Sequence, residues 1–301
     1  MVRLFAFLVG LFFSGMLLIS FGNSLVAWAT EPAIETAEHE FHKKPLAEKF
    51  PHDGPLGKFD RGQLQRGLKV YAEVCAACHS MNLVSFRNFA DLGYSEDEVK
   101  AIAKGWNTEV PSIDPITGEP ATRPAIPADK IPSPHANETA ARAANNNALP
   151  PDFSLITKAR ADGPAYVYSL LLGYQEQPAE LLEKFPDAKT PDGLYYNPYF
   201  ANLNIAMAPP LVDDGQVTYD DGTKATKKQM AKDVAAFLTW AAEPKMENRK
   251  SAGWAALGFL LIFTVLAFLS YKSIWADKKH RLTARNAADN GYASVIVLKR
   301  V

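Results

Sequence analysis

Two long uncharged apolar runs frame this chain, and between them short amphipathic segments alternate with polar, proline-rich stretches. The first run, LFAFLVGLFFSGMLLIS, follows Arg3 and leads to Ala27-Trp28-Ala29, an A-x-A pattern of small residues suited to cleavage after export. It predicts a signal peptide over residues 1–29. An uncleaved anchor is the alternative, because residues 4–30 carry no charge. The second run, Ala252 to Tyr271, has twenty residues without a charge. As a helix rising about 1.5 Å per residue it is about 30 Å long, the thickness of a bilayer's hydrocarbon core. Trp254 and Trp275 stand near its ends, as aromatic side chains do at membrane interfaces. A transmembrane helix is predicted over 251–272; a buried soluble helix, the alternative, rarely stays uncharged for so long.

The residues between these runs read as one folded domain over 30–250. Residues 31–58 are polar and read as a surface arm. From Arg61, Leu64, Leu68, Tyr71, Val74, Cys75 and Cys78 fall at three- and four-residue spacing, one face of a helix. Ser95-Glu96-Asp97-Glu98 is a capping-box pattern for a short helix ending near Gly105. Seven prolines between Pro111 and Pro134 exclude a long helix from residues 107–153. Leu155–Arg160 and Pro164–Leu172 read as two further helices, the second closed by Gly173. Thr226-Lys227-Lys228-Gln229 is a second capping box, opening a helix through Val234, Phe237, Leu238 and Trp240 that stops before Pro244. Strand signals are few, so the expected class is mainly α with much irregular chain.

Charge adds a direction. The net charge of the whole chain is -1, but residues 30–250 hold 24 basic against 31 acidic side chains, and residues 272–301 hold 7 against 2. The excess of Lys and Arg after the apolar run places a basic tail, 273–301, in the cytoplasm and the body outside it, in the periplasm. The signal peptide implies the same orientation independently. Residues 91–120 carry a net charge of -5, with Asp91, Glu96, Asp97, Glu98, Glu109, Asp114 and Glu119 against Lys100 and Lys104, and Asp213, Asp214, Asp220 and Asp221 form a second acidic group; both are suited to steering a basic partner toward the body.

The two cysteines are Cys75 and Cys78, in Cys75-Ala76-Ala77-Cys78-His79. Residues three and four apart share a helical face, so two thiols can reach both vinyl groups of one porphyrin while the adjacent imidazole reaches its iron. C-x-x-C-H is the attachment signature of c-type haem. A redox dithiol expects a βαβ context and a zinc site needs further ligands; neither is evident here. The opposite axial ligand is read by elimination. Met1 and Met16 lie in the signal segment, Met81 is too close to His79, and Met230 and Met246 belong to the C-terminal helix region. Met207 remains, in a segment stiffened by Pro209 and Pro210. His39, His42, His52 and His135 are the rival ligands, each in a polar or proline-rich stretch and read as solvated.

At this point the chain resembles the cytochrome c1 family, the haem c subunit of the cytochrome bc1 complex (ubiquinol–cytochrome c oxidoreductase), in a bacterial form. The resemblance runs over roughly residues 40–282. It rests on CAACHSMNLVSFR, ARAANNNALPPDFSLI, YVYSLLLGY, GLYYNPYFANLNIAMAPPL and DDGTKATKKQMAKDVAAFLTWAAEP, with the single C-terminal span. It implies a class I cytochrome c-like haem domain enlarged by long Pro-rich loop insertions, in which the helix before the haem motif packs against the C-terminal helix of that domain. It implies one covalently attached haem c with His79 and Met207 as axial ligands, and a propionate met by Arg160 and Tyr166, with Arg142 a second basic candidate. Asn147 stands where the family's pattern has glycine; asparagine is the next best residue for a left-handed turn.

The implied role is electron transfer from a Rieske iron–sulfur protein to a soluble or membrane-tethered cytochrome c, beside cytochrome b and membrane lipid, in the bacterial inner membrane, with no nucleic acid. No side chain of this chain is expected to be catalytic; the reductase activity belongs to the complex. The alternatives are an independent membrane-anchored c-type cytochrome, the haem c subunit of a terminal oxidase, and a haem-based sensor with an open sixth position.

Overall fold

The structure, a computed structural model, describes residues 2–30 and 35–289. Much of the basic tail expected at 273–301 lies outside them. In chain order the elements are α1 (Val2–Thr30), α2 (Ala37–Phe41), α3 (Arg61–Val70), α4 (Glu96–Lys104), β1 (Val110–Ile113), β2 (Pro120–Arg123), α5 (Glu138–Ala144), α6 (Gly163–Leu172), α7 (Ala179–Lys184), β3 (Tyr195–Tyr196), β4 (Asn204–Ile205), α8 (Lys227–Ala242) and α9 (Met246–Asp289). The two sheets are antiparallel hairpins, Val110↔Arg123 to Ile113↔Pro120, and Tyr195↔Ile205 with Tyr196↔Asn204. The architecture is mainly helical, with little sheet and a long apolar C-terminal helix.

The core sits where α3 and α6 pack against α8. Asp60 caps α3 by accepting from the Gln63 amide at 3.2 Å. Leu64, Leu68 and Tyr71 then point inward at 0%, 4% and 0% exposure, toward Phe237 and Trp240 of α8, both buried. Gly67 is the point of closest approach: a Cβ there would lie 2.1 Å from the Asp233 carbonyl oxygen and 2.6 Å from Phe237 Cβ. The expected packing of the helix before C-x-x-C-H against the later helix α8 is therefore present. Beneath the contact Asp233, with no exposure, accepts from Gln63 Nε2 (3.1 Å), Arg66 Nε (2.9 Å) and Gln229 Nε2 (2.8 Å). A buried carboxylate needs this many donors to offset its lost hydration.

Several sequence expectations are corrected. The face that begins at Leu64 does not continue unbroken to Cys78, because Tyr71–Cys75 is a π turn, with Ala76 N–H donating to the Tyr71 carbonyl at 2.8 Å. The extra residue rotates the face, so Cys75 stays buried while Cys78 becomes exposed. Residues 155–160 form a run of turns rather than a helix, since the chain must double back into the left-handed pair Asp162 and Gly163. Gly173 does end α6, but at a right-handed φ of -85°. The reason for glycine is crowding: a Cβ would meet Asn197 Oδ1 and Tyr199 Cδ2 at 2.5 Å. The Ser95 capping box of α4 forms in full. At α8 only Thr226 plays its part, because the Gln229 amide turns to Asp233 instead. The surface arm is tied to the body: Lys43 N–H donates to Pro198 O (2.7 Å), Leu46 N–H to Ser169 Oγ (2.7 Å), and Lys232 pairs with Glu48 at 2.6 Å.

The apolar helix α9 has 44 residues, about 66 Å at 1.5 Å each, so it is longer than a hydrocarbon core needs. Its first turns are tied to the haem-motif side of the chain. Glu247 accepts from Phe59 N–H (2.8 Å) and pairs with Arg61 (3.3 Å). Lys250 donates to the His52 and Gly57 carbonyls at 2.7 and 3.1 Å, and Trp254 Nε1 to the Pro55 carbonyl at 3.3 Å.

Candidate haem site

The C-x-x-C-H residues leave the π turn through a tight bend. Cys78 N–H and His79 N–H both donate to the Cys75 carbonyl, at 3.1 and 2.9 Å, and the buried Tyr71 hydroxyl donates to the His79 carbonyl at 3.0 Å. Both cysteines are free thiols. Burial, with Cys78 nearby, pushes the Cys75 thiol up to about 12. His79 is 7% exposed. Its Nδ1 lies 2.9 Å from the Pro151 carbonyl oxygen. A carbonyl only accepts, so Nδ1 carries the proton and donates, and the lone pair is on Nε2. Among the described residues Nε2 has no hydrogen-bond partner. Burial lowers the His79 pKa, against the opposing effects of the Pro151 bond and Asp152, which favours the neutral, metal-binding form.

The imidazole is also held from its face. Phe153 stacks on it at 3.8 Å between ring centroids and 15° between planes. Phe153 N–H donates to Ser80 O (2.8 Å), and Asp152 accepts from the Ser80 hydroxyl (2.8 Å) and the Asn82 amide (2.9 Å), so residues 151–154 are laced to the segment after His79. Burial would raise the Asp152 carboxyl, but hydrogen bonds from Ser154, Asn82 and Ser80 outweigh it and hold the pKa low. A hydrogen bond to the far ring nitrogen is what fixes the orientation of a metal-binding histidine. Pro151, Asp152 and Phe153 were not singled out by sequence; their signal was their place in the ALPPDFSLI stretch, which has no periodicity of its own.

Met207 follows the β3–β4 hairpin. That hairpin closes through Asn197, fully buried, whose side chain donates to Leu170 O (2.8 Å), and through Leu203 at a left-handed φ of 64°. Met207 is half-buried, whereas Met81, Met230 and Met246 are core residues at 0%, 0% and 4% exposure. The Tyr174 hydroxyl donates to the Met207 carbonyl at 3.1 Å. Burial, with Tyr166 and Tyr195 nearby, raises the Tyr174 pKa and keeps it a donor.

Arg160 and Tyr166 are brought together by the left-handed turn at Asp162 and Gly163. Burial raises the Tyr166 phenol and the nearby Arg160 guanidinium partly restrains it, while Arg160 Nη1 itself donates to the Ala159 carbonyl at 3.2 Å. Tyr166 in turn neighbours Tyr174, so this pair and the Met207 segment belong to one region. Arg142 is differently engaged: its Nη1 donates to the Asn147 carbonyl at 3.1 Å, holding a turn in which Asn146 and Asn147 are both left-handed, at φ 50° and 61°. The asparagine at 147 thus adopts the turn expected of it.

Of the rival histidines, His39 and His42 are exposed, and His135 is half-buried with Asn145 donating to its Nε2 at 3.3 Å. His52 corrects its reading as solvated: it is 5% exposed, packed between Phe50 and Phe59 at 5.2 Å from each ring. The acidic groups meet one another. Glu98, Asp220 and Asp221 line one open groove with Arg66, Tyr94 and Trp106, and no C-x-x-C-H, Met207, Arg160 or Tyr166 side chain lines it.

The candidate donors are thus two thiols, an oriented imidazole with its lone pair at Nε2, the Met207 thioether and an Arg–Tyr pair. It fits the chemistry of a c-type haem, whose vinyl groups, iron and propionates need those partners. Comparison with known proteins points to a haem protein as well. Residues 50–278 match the model of the cytochrome C1 family. The chain belongs to the cytochrome c1 family. It is 48% identical over 236 residues to cytochrome c1 of Rhodospirillum rubrum, covering 75% of this chain and 86% of that one. It is 48% identical over 254 residues to cytochrome b/c1 of Bradyrhizobium diazoefficiens, covering 79% of this chain but only 36% of that longer one. It is also 44% identical over 249 residues to the mitochondrial cytochrome b-c1 complex catalytic subunit of Candida albicans, covering 83% and 81%. A cytochrome c1 family member is a haem protein of electron transport, and α9 is a candidate membrane anchor for this one.

Proposed function

We propose that this chain is the electron-transfer haem c subunit of a ubiquinol–cytochrome c reductase complex, carrying one covalently attached haem. The observation that carries the proposal is the His79 geometry. The proton is held on Nδ1 by the Pro151 carbonyl, which leaves Nε2 to bind iron beside the two thiols. Cys75 and Cys78 would form the thioethers, His79 and Met207 the axial pair, and Arg160 with Tyr166 would meet a propionate; Arg142 is bound to the Asn147 turn and is the weaker candidate. Bound there, the haem supplies a one-electron couple, and a thioether ligand raises its potential. The chain's own residues orient the ligands and exclude water: Phe153 covers the imidazole, and Tyr71 holds the backbone at His79. The fold accordingly reads as a class I cytochrome c-like domain with its proline-rich insertion at residues 107–153.

In this reading residues 1–29 are a signal peptide, 30–250 a periplasmic haem domain, 251–272 the membrane span and 273–301 a cytoplasmic tail. The partners are cytochrome b, a Rieske iron–sulfur protein as donor and a cytochrome c as acceptor. Mild-detergent solubilisation followed by haem spectra and subunit identification tests it. Co-purification with b-type haem and a Rieske cluster supports it; isolation with terminal-oxidase subunits, or alone, rejects it. Carbon monoxide binding to the reduced protein would point to a sensor instead.

A further inference from the structure

The Met207 segment is tethered in an unusual way. Among the described residues, no backbone–backbone hydrogen bond involves any residue from 207 to 214. Pro209 and Pro210 have no N–H to give. Side chains take the place of a ladder: Asp214 accepts from the Lys227 amide at 2.7 Å, and two others lie nearer Met207. The Tyr174 hydroxyl donates to the Met207 carbonyl at 3.1 Å. Gln216 bridges the far end, donating to the Pro210 carbonyl at 2.9 Å and accepting from the Val212 amide at 2.8 Å. The two clamps differ in rigidity. Tyr174 stands just beyond α6, and its ring packs edge-on against Tyr195 of β3 at 6.5 Å, so both its base and its ring are fixed by ordered elements. Gln216 is an exposed loop residue.

A ligand held by iron on one side and by a loop on the other stays bound only as long as the loop stays in place. We propose that Tyr174 is a positioning residue for the axial methionine: by fixing the Met207 carbonyl it holds the thioether in place and keeps the sixth position closed. This rests on Met207 being that ligand. The connection is direct, since the bond falls on the ligand's own backbone. It also separates Tyr174 from Tyr166, which faces Arg160.

The test uses the full-length, haem-loaded chain in detergent. Ferric protein is mixed with excess imidazole, whose binding rate reports how often the thioether leaves the iron. Tyr174→Phe removes one hydroxyl and keeps the ring, so the rate should rise about two- to tenfold, the change expected from one ordinary hydrogen bond. Denaturant unfolding should move little, which a general packing role would not allow. Gln216→Ala should raise the rate less, and Tyr195→Phe should leave it unchanged. A wild-type imidazole rate in Tyr174→Phe overturns the proposal. Should that variant fail to retain haem, Gln216→Ala decides: a raised rate supports clamping of the segment, and an unchanged one rejects it. Failure of the ligand assignment is seen separately, as a Met207→Leu protein whose far-red sulfur-to-iron band persists.

Discussion

Gly67 lies against the main chain of Asp233 so closely that a Cβ on Gly67 would stand 2.1 Å from the Asp233 carbonyl oxygen. That contact sets the crossing of α3 and α8, and α3 leads directly into the turn that carries Cys75, Cys78 and His79. The position of the motif therefore depends on a missing side chain one helix earlier.

Gly67→Ala should be costly for this reason. Its Cβ meets backbone, which cannot rotate away, so the helices must separate. Overpacking of this kind costs about 1–3 kcal/mol, occasionally more, and the upper part of that range is expected here. Denaturant unfolding of the haem-loaded protein measures it. A loss below about 0.5 kcal/mol, the scale of an ordinary surface substitution, would show that the helices part freely.

The Arg66–Asp221 pair gives acid sensitivity with a definite sign. Backbone and side-chain bonds from Thr223, and the Arg66 guanidinium at 2.6 Å, lower the Asp221 pKa from 3.8 to about 2. A carboxyl depressed in the folded state stabilises above its unfolded pKa and loses that contribution as pH falls through its folded one. Stability should thus fall between about pH 4 and pH 2, and Asp221→Asn should flatten that part of the profile. Chemical denaturation at several pH values reads it. Equal slopes in both proteins would remove Asp221 from the account.

Cys75→Ser and Cys78→Ser should each weaken covalent attachment, and the double variant should abolish it, because each thiol would make one thioether. Haem staining after denaturing electrophoresis is the readout. Full retention of haem by the double variant would refute the attachment.

Met207→Leu should keep the haem and lower its potential, since the soft thioether that favours ferrous iron is gone. The ferric far-red band should vanish. A redox titration that returns the wild-type potential, with the band intact, would shift the ligand elsewhere. Among the histidines His52 is a poor substitute, being enclosed by Phe50 and Phe59.

Reporters fused after Glu243 and after Lys279 should behave as periplasmic and cytoplasmic respectively. The reverse pattern would overturn both the positive-inside reading and the exported position of the body.

Local chemistry made much of this protein legible. C-x-x-C-H, the uncharged run from Ala252 to Tyr271 and the Ser95 capping box all depend on residue type and short spacing, which a sequence displays directly. What it could not display are relations between distant segments. The Pro151 carbonyl that fixes the His79 proton is 72 residues away, and a backbone oxygen has no residue identity to read. The π turn at Tyr71–Cys75 breaks a periodicity that the residues themselves continue. His52 looked solvated because its stretch is polar and proline-rich, yet the fold closes Phe50 and Phe59 on its ring, and Lys250, 198 residues on, donates to its carbonyl. Gly67 and Gly173 are glycines for want of space and not for a left-handed φ, and only the packed chain reveals what stands in that space. The sequence by itself determined the candidate haem-binding atoms and the run apolar enough to cross a membrane. Tertiary structure decided how those atoms are aimed, because aim comes from backbone donors, acceptors and steric limits that assemble only when the chain folds.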